Sequence, residues 1–428
     1  MEPIAHLNLE DPLGDARRFA LETMSHHPYG FSLPQPFYND ERLFQLDMQT
    51  IFEREWIFAG MSCEIPAKGN FITLDIGHNP VVIVRGDGDA IHAFHNTCRH
   101  RGSRLCSTEK GKLAKLVCPY HQWTYELDGR LLFAGTEMGE DFRLEDYGLA
   151  PVALTEAGGY LFVSLAENPP DVSDLKAIFD SYLSFYDMAN LKVAVTTTIE
   201  EQANWKLVLE NNRECYHCNG SHPELIKSLY EFDDTEDPRA TPEYRSLVAR
   251  KQQEWDGLGI PWKMSWAGGK RNRLTRTPLV EGTVSMTMDG RAACRRPLTH
   301  QGIEDMGSLR ILHLPNSWNH FVGDHAAVFR VLPLGPQRTQ VTTKWLVHKD
   351  AVEGVDYDVE NLSRVWDATN AQDRRLAEEN QRGINSLAYR PGPYSPTYEY
   401  GVIDFIDWYR TTLAANLGSS PALSLASG

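Results

Sequence analysis

Asn96-Thr-Cys98-Arg-His100-Arg-Gly102, followed shortly by Cys118-Pro-Tyr-His121-Gln-Trp123, decides how the rest of the chain is read. The first segment holds a C-x-H pair and the second a C-x-x-H pair, with only Arg101–Val117 between them. Each pair follows a short strand-like stretch, so two loops can close on one centre. Two thiolates and two imidazoles suit a tetrahedral zinc ion. They also suit a cluster in which two cysteines hold one iron and two histidines the other. The donor types alone leave both open.

Around these loops the pattern is that of short strands. Pro80–Arg85 and Ala90–Phe94 flank Gly86-Asp-Gly-Asp89, which reads as a hairpin turn. Further strands are expected at 115–118, 122–127, 130–133 and 159–165, with Asp128-Gly129 as a second hairpin signal. The chain thus divides into an N-terminal helical segment, 1–55, packing with the catalytic part, an all-β module, 56–168, and a larger domain, 169–428. In that domain β-branched runs predict strands at 193–202, 309–314, 327–334 and 339–348. Helical patterns cover 205–229, broken at Asn219-Gly220, then 354–382 and 401–417. Residues 232–300 read as irregular with short elements, and the small, polar tail from Gly418 as frayed. The fold class is α+β.

Composition narrows the function. The chain has 428 residues, with 42 Lys and Arg against 58 Asp and Glu, a net charge of −16. So acidic a chain is a poor partner for nucleic acid or anionic lipid. Its longest apolar stretch, Gly159–Leu165, is of strand length, and the start Met1-Glu-Pro-Ile lacks the basic and apolar parts of a signal peptide. A soluble, cytoplasmic protein is expected. Seven cysteines, an odd number without a secretory signal, argue against a disulfide framework. Cys215-Tyr-His-Cys218 has C-x-x-C spacing but no thioredoxin-like context, so packed thiols are expected there.

A second constellation lies in Glu210-Asn-Asn-Arg-Glu214-Cys-Tyr-His217-Cys-Asn-Gly-Ser-His222. On a helix Glu214 and His217 share a face, and a kink at Asn219-Gly220 brings His222 back to it. Two neutral imidazoles plus one carboxylate make the facial triad of non-haem Fe(II), with open positions for dioxygen. The carboxylate has to come from elsewhere. The long C-terminal helix offers Asp373, preferred here, and Asp367.

Cys-Arg-His-Arg-Gly and Cys-Pro-Tyr-His-Gln-Trp resemble the Rieske loops of oxygenases. With the second constellation following in this order, the chain from about 35 to 415 resembles the α subunits of Rieske non-haem iron oxygenases. The resemblance implies a Rieske domain set ahead of a helix-grip domain, an antiparallel sheet wrapped on a long helix. It implies a [2Fe–2S] cluster on Cys98, His100, Cys118 and His121, and a mononuclear iron on His217, His222 and Asp373. It implies dioxygen as cosubstrate, NAD(P)H electrons delivered by a flavin and iron–sulfur reductase, and a ring-shaped homotrimer. In such a ring electrons cross between subunits through a carboxylate, here Glu214, where the family usually has Asp. Within the family, Glu210–Leu225, Gln381–Ser386 and Tyr389–Tyr394 are similar to members that demethylate betaines, glycine betaine first and proline betaine (stachydrine) next. Carnitine demethylation and aromatic-ring dioxygenation are the alternatives. A trimethylammonium group needs aromatic faces. Trp255, Trp262, Trp266, Trp318 and Phe321 are available, with Trp262, Trp266 and Phe321 as the chosen cage candidates.

Overall fold

The computed structural model describes residues 13–136, 138–232 and 234–418. The expected frayed tail lies outside these residues apart from Gly418, as does the start of the chain.

The larger domain is built on a seven-stranded antiparallel sheet. Its strands run in the order Leu191–Glu201, Arg338–His348, Ala326–Gly335, Ser317–Phe321, Ser308–His313, Asn272–Thr277 and Ser265–Ala267. The helix Val359–Ile384 lies across one face. The Asp358 carboxylate caps it by accepting from Asn361 N–H. Leu362, Val365, Trp366, Thr369, Ala377, Gln381 and Ile384 form the buried stripe, spaced by threes, fours and their multiples. This is the expected helix-grip arrangement.

Three small antiparallel sheets form the β-module. The expected hairpin at 86–89 joins Asn79–Arg85 to Ile91–His95, with Gly88 at φ +61°. A separate apolar cluster of Phe71, Val82, Val84, Phe94, Trp123 and Tyr125 encloses Cys98 and Cys118. The module sits on the sheet through Asn316, whose side chain accepts from Phe58 N–H (2.9 Å) and donates to Phe58 C=O (3.0 Å). Two ion pairs, Glu55 with Arg271 and Glu64 with Lys344, add to this seam.

Two sequence expectations need correction. Residues 232–300 are not wholly irregular, because Pro242–Leu258 is a helix. Thr241 caps it and Gly259 ends it at φ +69°. Its charges hide a narrow apolar stripe of Tyr244, Leu247, Val248 and Trp255. The helix at 205 also stops at Asn212, earlier than expected. Asn219-Gly220 is not the break but lies inside a short helical turn, Cys218–Ser221. The reason is local. The Glu214 carboxylate accepts from the backbone N–H groups of Tyr216 and His217, which therefore do not continue the helix.

The N-terminal helices hold this region in place. Asp47 accepts from Trp205 Nε1 (3.0 Å) and Tyr409 OH (2.8 Å) and pairs with fully buried Lys206. At Gly401 a Cβ would stand 2.3 Å from Arg213 O, so only glycine lets the C-terminal helix cross the end of the 205–212 helix this closely. No helix among the described residues is long and apolar enough to cross a membrane.

Candidate functional site

The two cysteine-histidine loops have the same backbone design. In the first, Cys98 N–H bonds to Ser103 O (2.8 Å) and Gly102 N–H to Cys98 O (3.0 Å). In the second, Cys118 N–H bonds to Trp123 O (2.8 Å) and Gln122 N–H to Cys118 O (3.0 Å). The fifth residue of each loop has positive φ, Gly102 at +77° and Gln122 at +60°. The sulfurs are buried, and Tyr125 OH lies 3.3 Å from Cys98 Sγ. The imidazoles of His100 and His121 sit 4.6 Å apart, centre to centre, and His100 stacks on Trp123. His121 is exposed.

This donor set fits a two-iron cluster, with the two buried cysteines placed to hold one iron and the two facing imidazoles the other.

Asp373 from the long helix meets the two histidines of the 214–222 loop. Its Oδ1 lies 3.0 Å from His222 Nε2 and 3.4 Å from His217 Nε2. Adjacent ligands of a metal bonded at about 2.1 Å stand about 3 Å apart. That Oδ1 is buried without a well-formed hydrogen bond, as expected of an atom whose natural partner is a metal. Burial pulls the His217 pKa down, but the neighbouring Asp373 and Glu214 carboxylates outweigh it and lift it to about 9. The pocket thus favours positive charge. Each imidazole is oriented from behind: His217 Nδ1 faces Glu214 Oε1 at 2.5 Å, and His222 Nδ1 faces Gln372 Oε1 at 2.8 Å. Gln372 is held in turn by Glu224 (2.8 Å). Sequence reading missed Gln372, although it adjoins Asp373. Asp367, the other carboxylate considered, does not line the cavity.

The expectation of packed thiols beside the iron loop is corrected. Cys215 and Cys218 form a disulfide. Three residues of separation on a tight turn bring their Cα atoms to 4.9 Å, within bridging range. Cys218 Sγ lies near both histidines but is not a thiolate ligand.

The triad opens into a cavity walled by Tyr230, Phe232, Trp318, Trp366 and Tyr398, with Arg273, Arg310 and His320 at its polar end. The chosen cage candidates lie elsewhere. Phe321 is fully buried among Tyr160 and Tyr186. Trp262 donates to Asp256 (2.8 Å). Trp266 is 38 % exposed on the edge strand, beneath the Arg273 guanidinium. Trp318, from the wider set of aromatics, does line the cavity. Locating the cavity walls needs the strand register, which pairs Trp318 with Leu312 and His320 with Arg310.

Residues 188–415 match the family model of the ring hydroxylating alpha subunit (catalytic domain), and residues 55–137 match the Rieske [2Fe-2S] domain. The chain belongs to the Rieske ring-hydroxylating oxygenase α-subunit family. Members of this family carry a Rieske cluster and a mononuclear non-haem iron, the two groups that the donor sets above fit. The chain is 65 % identical to the glycine betaine monooxygenase oxygenase subunit of Chromohalobacter salexigens, over 100 % of this chain and 96 % of that one. It is 62 % identical to the protein of the same name from Pseudomonas aeruginosa, over 99 % and 98 %. Among solved α-subunit structures, a quaternary ammonium Rieske monooxygenase in complex with L-carnitine superposes with a TM-score of 0.69. The sequences are 21 % identical, with 92 % of this chain and 98 % of that one covered. Naphthalene 1,2-dioxygenase from Rhodococcus gives the same TM-score at 18 % identity, over 95 % and 98 %. Both share the oxygenase fold.

Proposed function

We propose that this chain is the terminal oxygenase that N-demethylates glycine betaine to dimethylglycine and formaldehyde. The observation that carries the reading is a two-histidine, one-carboxylate site opening onto a cavity walled by aromatic faces. A trimethylammonium group cannot be neutralised or hydrogen-bonded. Aromatic faces stabilise it by about 0.5–2 kcal/mol each. The identity with two glycine betaine monooxygenase subunits over nearly the whole chain supports this choice of substrate.

When bound, the cluster supplies single electrons and the mononuclear iron activates dioxygen. Cys98, His100, Cys118 and His121 would hold the former, and His217, His222 and Asp373 the latter. The protein's part is placement. Glu214 and Gln372 fix the two imidazoles, and the aromatic walls exclude water and turn one N-methyl group toward the triad. Overall, glycine betaine, dioxygen, two electrons and two protons give dimethylglycine, formaldehyde and one water. The hydroxymethyl product loses its hydroxyl proton, its C–N bond breaks, and the electron pair returns to nitrogen.

The electrons come from NAD(P)H through a partner reductase in the cytoplasm. A homotrimer places His121 of the partner subunit against Glu214, which makes Glu214 the electron bridge. Exposure of His121 and the Glu214–His217 contact support that route. The test is reconstitution with reductase, NAD(P)H and a panel of glycine betaine, stachydrine, carnitine, choline and an aromatic hydrocarbon. Formaldehyde and dimethylglycine should appear in equal amounts, one per dioxygen, with glycine betaine preferred. Preference for carnitine, or ring hydroxylation without formaldehyde, overturns the reading.

A further inference from the structure

The cavity has a second end. Arg273, Arg310 and His320 lie on the same face of the sheet, on three consecutive strands. Arg310 pairs with Thr275 and His320, and Arg273 pairs with Leu312. All three line the cavity. Its carboxylates are already engaged: Glu214 by His217, Asp373 by both histidines, and Asp237 and Glu231 by Arg239. Arg273 differs. It is 8 % exposed, yet among the described residues its guanidinium makes no ion pair or hydrogen bond, and the group it touches is the Trp266 ring, 5.9 Å away. A guanidinium that lines the cavity and has no ion pair of its own can bind an anion there. The ring of His320 feels the same excess of charge. Burial, then Arg310, Arg213 and Arg273, hold its pKa well below the usual histidine range, so it is neutral.

We propose that Arg273, with Arg310 beside it, is the subsite that receives the substrate's carboxylate, so that the enzyme selects a zwitterion over a simple quaternary amine. This rests on the reading of the site as a betaine demethylase. His320, paired across the strands with Arg310, packs at a tilt against Trp366 with ring centres 4.7 Å apart, and Trp366 lies seven residues, about 10 Å along the helix axis, from Asp373. Trp266 then supports Arg273 from outside, and is a positioning residue rather than a cage wall.

Two probes separate the ends of the cavity: 3,3-dimethylbutanoate, which keeps the carboxylate and replaces the ammonium nitrogen by carbon, and choline, which keeps the ammonium and lacks the carboxylate. In the holoenzyme, Arg273→Met should raise the KM for glycine betaine about 30-fold or more, with a smaller change in kcat. It should also abolish calorimetric binding of 3,3-dimethylbutanoate while leaving choline binding within about twofold. Arg273→Lys should restore part of the affinity, and serves alone if the Met variant does not fold. Unchanged betaine KM and unchanged dimethylbutanoate affinity in either folded variant overturn the subsite. The parent reading fails separately, if the wild type releases no formaldehyde from glycine betaine, whatever the Arg273 variants bind.

Discussion

The two candidate metal centres are built in opposite ways. The Rieske ligands all fall between positions 98 and 121, on twin loops whose backbones bond identically. The iron ligands come from positions 217 and 222 and from 373, with six strands of the large sheet between them in the chain. One site is a local device that can be moved as a unit. The other exists only as a property of the whole domain. Glu214 belongs to the second site by contact, and in the proposed route it would serve the first by charge transfer.

The sharpest way to break this contrast is to remove one centre and count the other. Cys98→Ala should abolish the Rieske absorption and EPR signals and turnover, and lower iron from about three per chain to about one. A surviving Rieske signal would defeat the cluster assignment. Asp373→Ala should do the reverse, keeping the Rieske spectrum, losing the single iron and stopping turnover. Asp367→Ala is the control and should keep all iron. Loss of iron there instead would move the third ligand two turns along the helix.

Smaller effects probe the connection. Glu214→Gln should retain about three irons while turnover falls roughly 10–100-fold, with slow reoxidation of the reduced cluster in single-turnover experiments. Full activity would send the electrons by another path. The smallest effect concerns the scaffold. Buried Glu210 accepts from Tyr38 OH (2.9 Å) and Tyr394 OH (2.8 Å), tying the N-terminal segment and a C-terminal loop to the helix before the iron loop. Burial lifts its pKa from 4.5 to about 7, against the lowering effect of those hydrogen bonds and Lys206. The folded state then holds a proton that the unfolded chain releases, so this group's contribution to stability is full below about pH 4.5 and falls as pH rises through about 7. Glu210→Gln should remove that slope. Between pH 5 and 8 the wild-type Tm should drop further than the variant's, by roughly 2–4 °C. Parallel curves would show that the proton is not held there.

The same contrast explains what the sequence reveals. Cys98, His100, Cys118 and His121 can be read in one glance because their partners are neighbours and their strands alternate. The long helix and the strands at 326–348 are equally plain from their periodicity. The cavity walls are not. Arg273, His320 and Trp366 become neighbours only through strand register and the angle of the helix on the sheet, and no local pattern marks them. Trp262 and Phe321 look like cage aromatics by type, yet their strand and loop positions turn them into hydrogen-bonded and core residues. The helix 242–258 was hidden by its charges, and the disulfide by spacing that also suits free thiols.

The distance along the chain between His222 and Asp373 also sets a timetable. A ribosome adding about 5–20 residues per second needs roughly 8–30 s to pass from one to the other. During that interval the nascent chain already holds all four Rieske ligands and both iron-site histidines, but no carboxylate to complete the triad. On this assignment the mononuclear site is completed only after the six strands between its histidines and its carboxylate have been made, whereas the cluster site is complete before the larger domain begins.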